Sequence, residues 1–176
     1  MSDIGLIHLY CGDGKGKTTA AMGLAVRCAG RGKSVVAAQF LKDGTSGECR
    51  ALAGLANVTV LAANPCGKFS SQMTEEERAE TAAAVLRTFR AACDYAVRTG
   101  ARLLVLDEAC AAISCGFLDE DAVLSFLEHK PAALEVVLTG RNPSERLCER
   151  ADYITEMVKR RHPFDKGIAA REDVEL

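Results

Sequence analysis

The stretch that most constrains this chain begins with "IGLIHLYC", Ile4–Cys11, a short and nearly continuous apolar run that reads as a buried strand. "GDGKGKTT", residues 12–19, follows it. Beyond the loop, Ala21, Leu24, Ala25 and Cys28 fall at helical spacing, and Gly30 and Gly32 close the helix. Strand, glycine-rich turn and helix form the setting of a phosphate-binding loop, whose backbone N–H groups and positive helix end face an anion. The usual form is G-x-x-x-x-G-K-[ST]. Here only Asp13, Gly14 and Lys15 separate Gly12 from Gly16, so the loop is one residue short. That shortening removes up to about 3.5 Å of chain and makes a tighter cradle.

The rest of the chain repeats the alternation. Ser34–Phe40, Asn57–Ala63, Arg102–Glu108, Glu135–Gly140 and Tyr153–Val158 read as strands. Thr74 and Glu77 form a capping box ahead of an apolar stripe of Val85, Leu86, Phe89, Cys93 and Val97, which Gly100 ends. Asp119 caps a helix that runs to His129, and Asn142, Pro143 and Glu145 fit N-cap, N1 and N3 of another. Apolar strands alternating with helices predict an α/β fold: a mostly parallel sheet with helices on both faces, P-loop NTPase-like (RecA-like), in one domain over residues 1–176. Ligands of such sheets bind at the carboxyl ends of the strands. The loop, Asp107–Glu108 and Gly140–Arg141 all lie at such ends. Lys42–Glu48 and Asn64–Met73 read as mobile segments.

These positions supply the candidate chemistry. Gly12, Gly14 and Gly16 let backbone approach phosphate oxygens, Lys17 reaches the phosphates, and the Thr18 hydroxyl holds Mg²⁺ (or Mn²⁺), with Thr19 as a reserve oxygen. Asp107 ends the most apolar strand, in the position of a Walker B acid that binds the metal directly or through water. Glu108 is a second ligand or a base that positions a group. Arg141 is either a phosphate fork or a surface arginine before a helix. Lys15 faces the same choice, and it is placed to offset the negative Asp13. The basic tail "KRRHPFDKG" touches anionic groups or is a solvated face. His8 reads as a satisfied core residue, and His129 as a charge partner of a helix end.

Composition narrows the partners. Lys and Arg number 22 against 24 Asp and Glu, a net charge of −2, so no global attraction to nucleic acid is expected. No apolar run approaches the roughly 20 residues that span a bilayer, and "MSDIGLIHLYCG" has no basic n-region. The expectation is a cytoplasmic chain without membrane contact. Eight cysteines occur without a single C-x-x-C, which reads as reduced, mostly buried thiols rather than metal ligands or disulfides.

"GLIHLYCGDGKGKTTAAMGLAVRCAGRGKSVVAAQFLKDGTSGE" closely resembles the P-loop ATP:corrinoid adenosyltransferases, whose loop has the same short G-[ND]-G-K-G-K-T-T form. The resemblance continues through "LLVLDE", "VVLTGRNPSERLCERADYITEM" and "HPFDKGI", nearly the whole chain. It implies transfer of the 5′-deoxyadenosyl group of ATP to the cobalt of a corrinoid, with release of triphosphate from a nucleotide bound in reversed orientation. It implies ATP bound by Gly12, Asp13, Gly14, Lys15, Gly16, Lys17, Thr18 and Thr19, with Lys17, Glu108 and Arg141 catalytic and the metal on Thr18, Asp107 and Glu108. It further implies a flavodoxin-like reductase as transient partner and a homodimer. The corrin would lie against Asn64–Met73, where some relatives carry Phe and Trp. This chain has no Trp, and Phe69 is either a corrin contact or ordinary loop packing. Two other readings compete: a small kinase or ATPase cleaving the γ-phosphate with Glu108 as its base, and a nucleotide-gated switch or corrinoid carrier without turnover.

Overall fold

The computed structural model describes residues 4–63, 68, 70–171 and 174. Its strands are β1 (Ile7–Cys11), β2 (Val35–Gln39), β3 (Val58–Ala62), β4 (Leu103–Asp107), β5 (Glu135–Thr139) and β6 (Tyr153–Glu156). All pair in parallel, in the order β3-β2-β4-β5-β1-β6. The helices are α1 (Lys17–Ala29), α2 (Gly47–Ala53), α3 (Glu75–Thr99), α4 (Ala109–Ser114), α5 (Glu120–His129) and α6 (Glu145–Arg150).

Side chains of a strand alternate between faces, and the sheet buries both. Ile7, Leu9, Val36, Ala38, Leu104, Leu106, Val136 and Leu138 pack with α3 to α6 through Val85, Phe89, Cys110, Val123, Leu127 and Leu147. Val35, Ala37, Leu103, Val105 and Val137 pack with Ala21, Met22 and Ala25 of α1 and Leu52 of α2. This is the expected α/β sheet with helices on both faces, of the P-loop NTPase type. The exception is the edge strand β6, exposed along its whole length.

Several local expectations hold. Thr74 and Glu77 make the reciprocal capping box, Gly100 ends α3 in the left-handed conformation, and Asp119 caps α5. Others are corrected. β1 begins at Ile7 rather than Ile4, because Leu6 gives its N–H to the Glu135 carboxylate instead of a strand neighbour. Val97 is 48 % exposed, because the buried stripe of this long helix passes through Ala92 and Ala96 instead. Ser144, not Asn142, caps α6: its hydroxyl accepts from Leu147 N at 3.1 Å, while Asn142 sits outside the helix at φ 48°. Pro143 therefore precedes the cap. Lys42–Glu48 is partly structured, since α2 starts at Gly47. His8 is half-buried rather than core, bonded to Glu135 at 2.5 Å and stacked on Tyr153. His129 closes α5 and bonds to Ser125 O at 2.8 Å. Cys11, Cys49, Cys93 and Cys110 are buried free thiols, and no disulfide forms among the described cysteines. Cys66 lies outside the described residues.

Candidate functional site

The register of the central strands builds the floor of the site. Gln39 of β2 stands level with Asp107 of β4, and Leu106 with Leu138 of β5, so Thr139 follows onto the level of Asp107. All three side chains end their strands on the face covered by α1. Asp107 is wholly buried. Its Oδ1 accepts from Thr139 Oγ1 at 2.7 Å and from Thr18 Oγ1 at 2.9 Å, and its Oδ2 accepts from Gln39 Nε2 at 3.1 Å. A buried carboxylate is tolerable only with such partners. Thr139 Oγ1 also accepts the N–H of Glu108 at 2.9 Å. That bond helps hold Glu108 at φ 62°, a left-handed conformation costing a non-glycine residue about 1–3 kcal/mol.

Above the floor, residues 12–16 link β1 to α1. The loop is stitched from behind to the chain that follows β6. Gly14 N donates to Met157 O at 2.6 Å, Met157 N to Cys11 O at 2.8 Å, and Lys159 N to Asp13 Oδ1 at 2.9 Å. A Cβ on Gly12 or Gly14 would stand 2.5 or 2.6 Å from Met157 O. At Gly16 there is open space, but φ is +117°. Gly14 is therefore demanded by the segment behind the loop, Gly16 by backbone conformation, and Gly12, at φ +100°, by both. The expectation that Lys15 offsets Asp13 is corrected: the Lys159 backbone N–H, foremost, holds the Asp13 carboxyl below its ordinary range.

Gly16 caps α1 without a side-chain bond, so the first-turn N–H groups of this 13-residue helix face the cleft uncapped. Lys17 Nζ donates to Gly14 O at 2.8 Å. Burial, then the Arg141 guanidinium, lower the Lys17 pKa. Burial, then the Asp107 carboxylate, raise that of Glu108. Lys42 Nζ lies 4.0 Å from Asp107 Oδ2 and 3.7 Å from Glu48.

A cleft of about 720 Å³ opens over these groups, lined by Asp13 to Thr19, Lys42, Glu48, Glu108, Arg141 and His162. The structure thus gathers the predicted Asp13, Gly14, Lys15, Gly16, Lys17, Thr18, Thr19, Glu108 and Arg141 on one cleft, with Asp107 beneath it. Gly12 lies at the loop's entry, half-buried. Arg141 is both exposed and part of the wall, which joins the two readings of it. Phe69 lies outside the described residues, as do 64–67.

Sequence reasoning did not single out Gln39, Thr139, Lys42 or Met157, and it read Lys159 and His162 only as members of the basic tail that touches anionic groups or is a solvated face. Gln39 and Thr139 carried a signal: each is a polar residue ending an apolar strand, as Asp107 does. The placement of residues 157–162 beside the loop is long-range, and the basic run from Lys159 was its one local signal.

Comparison with known proteins extends this picture. The family model for the ATP:corrinoid adenosyltransferases BtuR/CobO/CobP matches residues 3–176. The chain is 32 % identical to the corrinoid adenosyltransferase of Pseudomonas aeruginosa, over 98 % of this chain and 84 % of that protein. It is 34 % identical to the corrinoid adenosyltransferase of a Sinorhizobium species, over 98 % and 80 %. With the corrinoid adenosyltransferase CobA of Salmonella typhimurium the identity is 32 %, over 95 % and 83 %.

Proposed function

We propose a reaction for this chain from the premise that it belongs to the ATP:corrinoid adenosyltransferase family: transfer of the 5′-deoxyadenosyl group of ATP to the Co(I) of a corrinoid. The observation that carries the proposal is the full-length family match of a chain whose phosphate loop is one residue short. The cobalt electron pair attacks C5′ and forms a Co–C bond. The C5′–O bond breaks, and its electron pair leaves on triphosphate. Co(I) is itself the nucleophile, so the protein's task is to hold C5′ in line and stabilise charge growing on the leaving group.

The residues suit that task. The uncapped amides of α1, Lys17, Lys15 and Arg141 surround the place of the triphosphate. Thr18 Oγ1 and Asp107 Oδ1, 2.9 Å apart, are hard oxygen donors that fit Mg²⁺, with Glu108 beside them. Mg²⁺ takes few protein ligands and completes its sphere with phosphates and water. Among the described residues there is no cluster of three or more His, Cys, Asp or Glu that would hold a metal unaided. When bound, Mg²⁺ would neutralise charge on the triphosphate. Asp107, already held by Gln39 and Thr139, needs no rearrangement to meet it. The Lys42 ammonium stands near the same carboxylate and would be displaced toward the phosphates.

The same proposal has residues 1–176 working as one cytoplasmic domain, with a flavodoxin-like protein supplying the electron that makes Co(I). The exposed edge strand β6, with Tyr153 and Ile154 each about half exposed, supports assembly as a homodimer. No helix among the described residues is long and apolar enough to cross a membrane. The test is anaerobic incubation with Mg²⁺, ATP and chemically reduced cob(I)alamin. A light-sensitive adenosylcorrinoid is the expected product. Unchanged corrinoid with ADP would return the chain to γ-phosphate chemistry.

A further inference from the structure

The tail after β6 is exposed at every described residue from 158 to 171 except His162. His162 instead lines the cleft together with Lys17, Thr18 and Arg141. Its placement is fixed from two directions. On one side, Met157 and Lys159 are bonded to Cys11, Asp13 and Gly14, so the chain leading to His162 is registered on the phosphate loop itself. On the other, His162 heads a tight turn. Asp165 N donates to His162 O, Ile168 N to Pro163 O, and Lys159 Nζ to Asp165 Oδ1 at 3.1 Å, which braces the turn against the strand exit.

The ring is oriented as well. His162 Nδ1 accepts the N–H of Phe164 at 3.2 Å. A neutral imidazole has one donor and one acceptor nitrogen, so an accepting Nδ1 leaves the hydrogen on Nε2. Nε2 meets no partner among the described residues. We propose that His162 is a substrate-binding residue whose Nε2–H donates to the polyphosphate chain of the nucleotide, completing from the tail the ring of donors begun by the loop amides, Lys17 and Arg141. The inference rests on the reading that a nucleotide triphosphate lies on this loop. It adds a donor outside the loop, and it makes the tail part of the site.

The test is titration calorimetry of Mg–tripolyphosphate, a probe that needs neither corrinoid nor turnover. Asparagine and glutamine separate the two nitrogens: Asn places its amide near Nδ1, and Gln places an N–H donor near Nε2. His162→Ala is expected to bind about tenfold or more weakly, the scale of a hydrogen bond to a charged group. His162→Gln is expected to stay within about threefold of the parent, while His162→Asn, which can still cap the turn, falls with Ala. Thermal melts of all three report folding separately. Tight binding by His162→Ala, or binding kept by Asn and lost by Gln, would overturn the inference while the adenosyltransferase reading stands. Failure of the parent protein to bind Mg–tripolyphosphate would sink both.

Discussion

Thr139 Oγ1 donates to Asp107 Oδ1 at 2.7 Å and accepts the Glu108 N–H at 2.9 Å. One hydroxyl therefore orients the buried carboxylate of the site and anchors the strained residue after it. Thr139→Val keeps the shape and removes both bonds. It should destabilise the protein by about 1–3 kcal/mol, the cost of unsatisfied buried polar groups. A fall in the denaturant midpoint at unchanged slope is the expected observation. An unchanged midpoint would mean that water or backbone shift replaces the hydroxyl.

Among the described residues Lys17 bonds only to the loop's own Gly14 carbonyl, so Lys17→Ala should fold normally and lose transfer. Asp107→Asn should lower activity by on the order of a hundredfold, the scale of removing one preorganised electrostatic partner. It should also blunt the response to Mg²⁺. Steady-state rates across a Mg²⁺ titration check both variants. A folded, fully active Lys17→Ala protein would refute the site.

Glycines of the loop and of the helix that follows it differ in what they tolerate. Gly14→Ala would push a Cβ to 2.6 Å from Met157 O, a backbone atom that cannot step aside. It should both destabilise the protein and weaken nucleotide binding by parting the loop from residues 157–159. Gly23, in the middle of α1 and exposed, has nothing within 4 Å of its would-be Cβ. Gly23→Ala should stabilise by about 0.5–1 kcal/mol through helix propensity. Paired thermal melts and nucleotide titrations distinguish the two.

Burial and Asp107 raise the Glu108 pKa above its ordinary 4.5. Between 4.5 and the raised value the folded state holds more protons than the unfolded, so stability falls as pH rises through that window. Glu108→Gln removes this cost. In EDTA it should be more stable than the parent at neutral pH, with the difference closing below about pH 4.5. Melting temperatures across pH provide the check. A gap that persists at pH 4 would point to backbone strain rather than charge.

What the sequence revealed follows from the range of the interactions. Periodicity, the capping box at Thr74 and the apolar run before Asp107 are local, and they carried the sheet, α3 and most of the cleft. The cap of α6 went to Ser144 rather than Asn142 because two polar residues flank Pro143, and only geometry chooses between them. Gly12 and Gly14 looked like phosphate-contact glycines, yet a carbonyl more than a hundred residues later already presses on them. The same long-range closure brought His162 into the cleft, from a tail whose basic composition reads either as a contact for anionic groups or as a solvated face.

The central claim is that the C5′–O bond of ATP breaks, not a phosphoanhydride. Phosphorus NMR of an anaerobic reaction with ATP, Mg²⁺ and cob(I)alamin tests it most directly. The account predicts tripolyphosphate equal in amount to the cobalt–carbon bond formed, and no ADP. ADP and inorganic phosphate, with the corrinoid unalkylated, would contradict it.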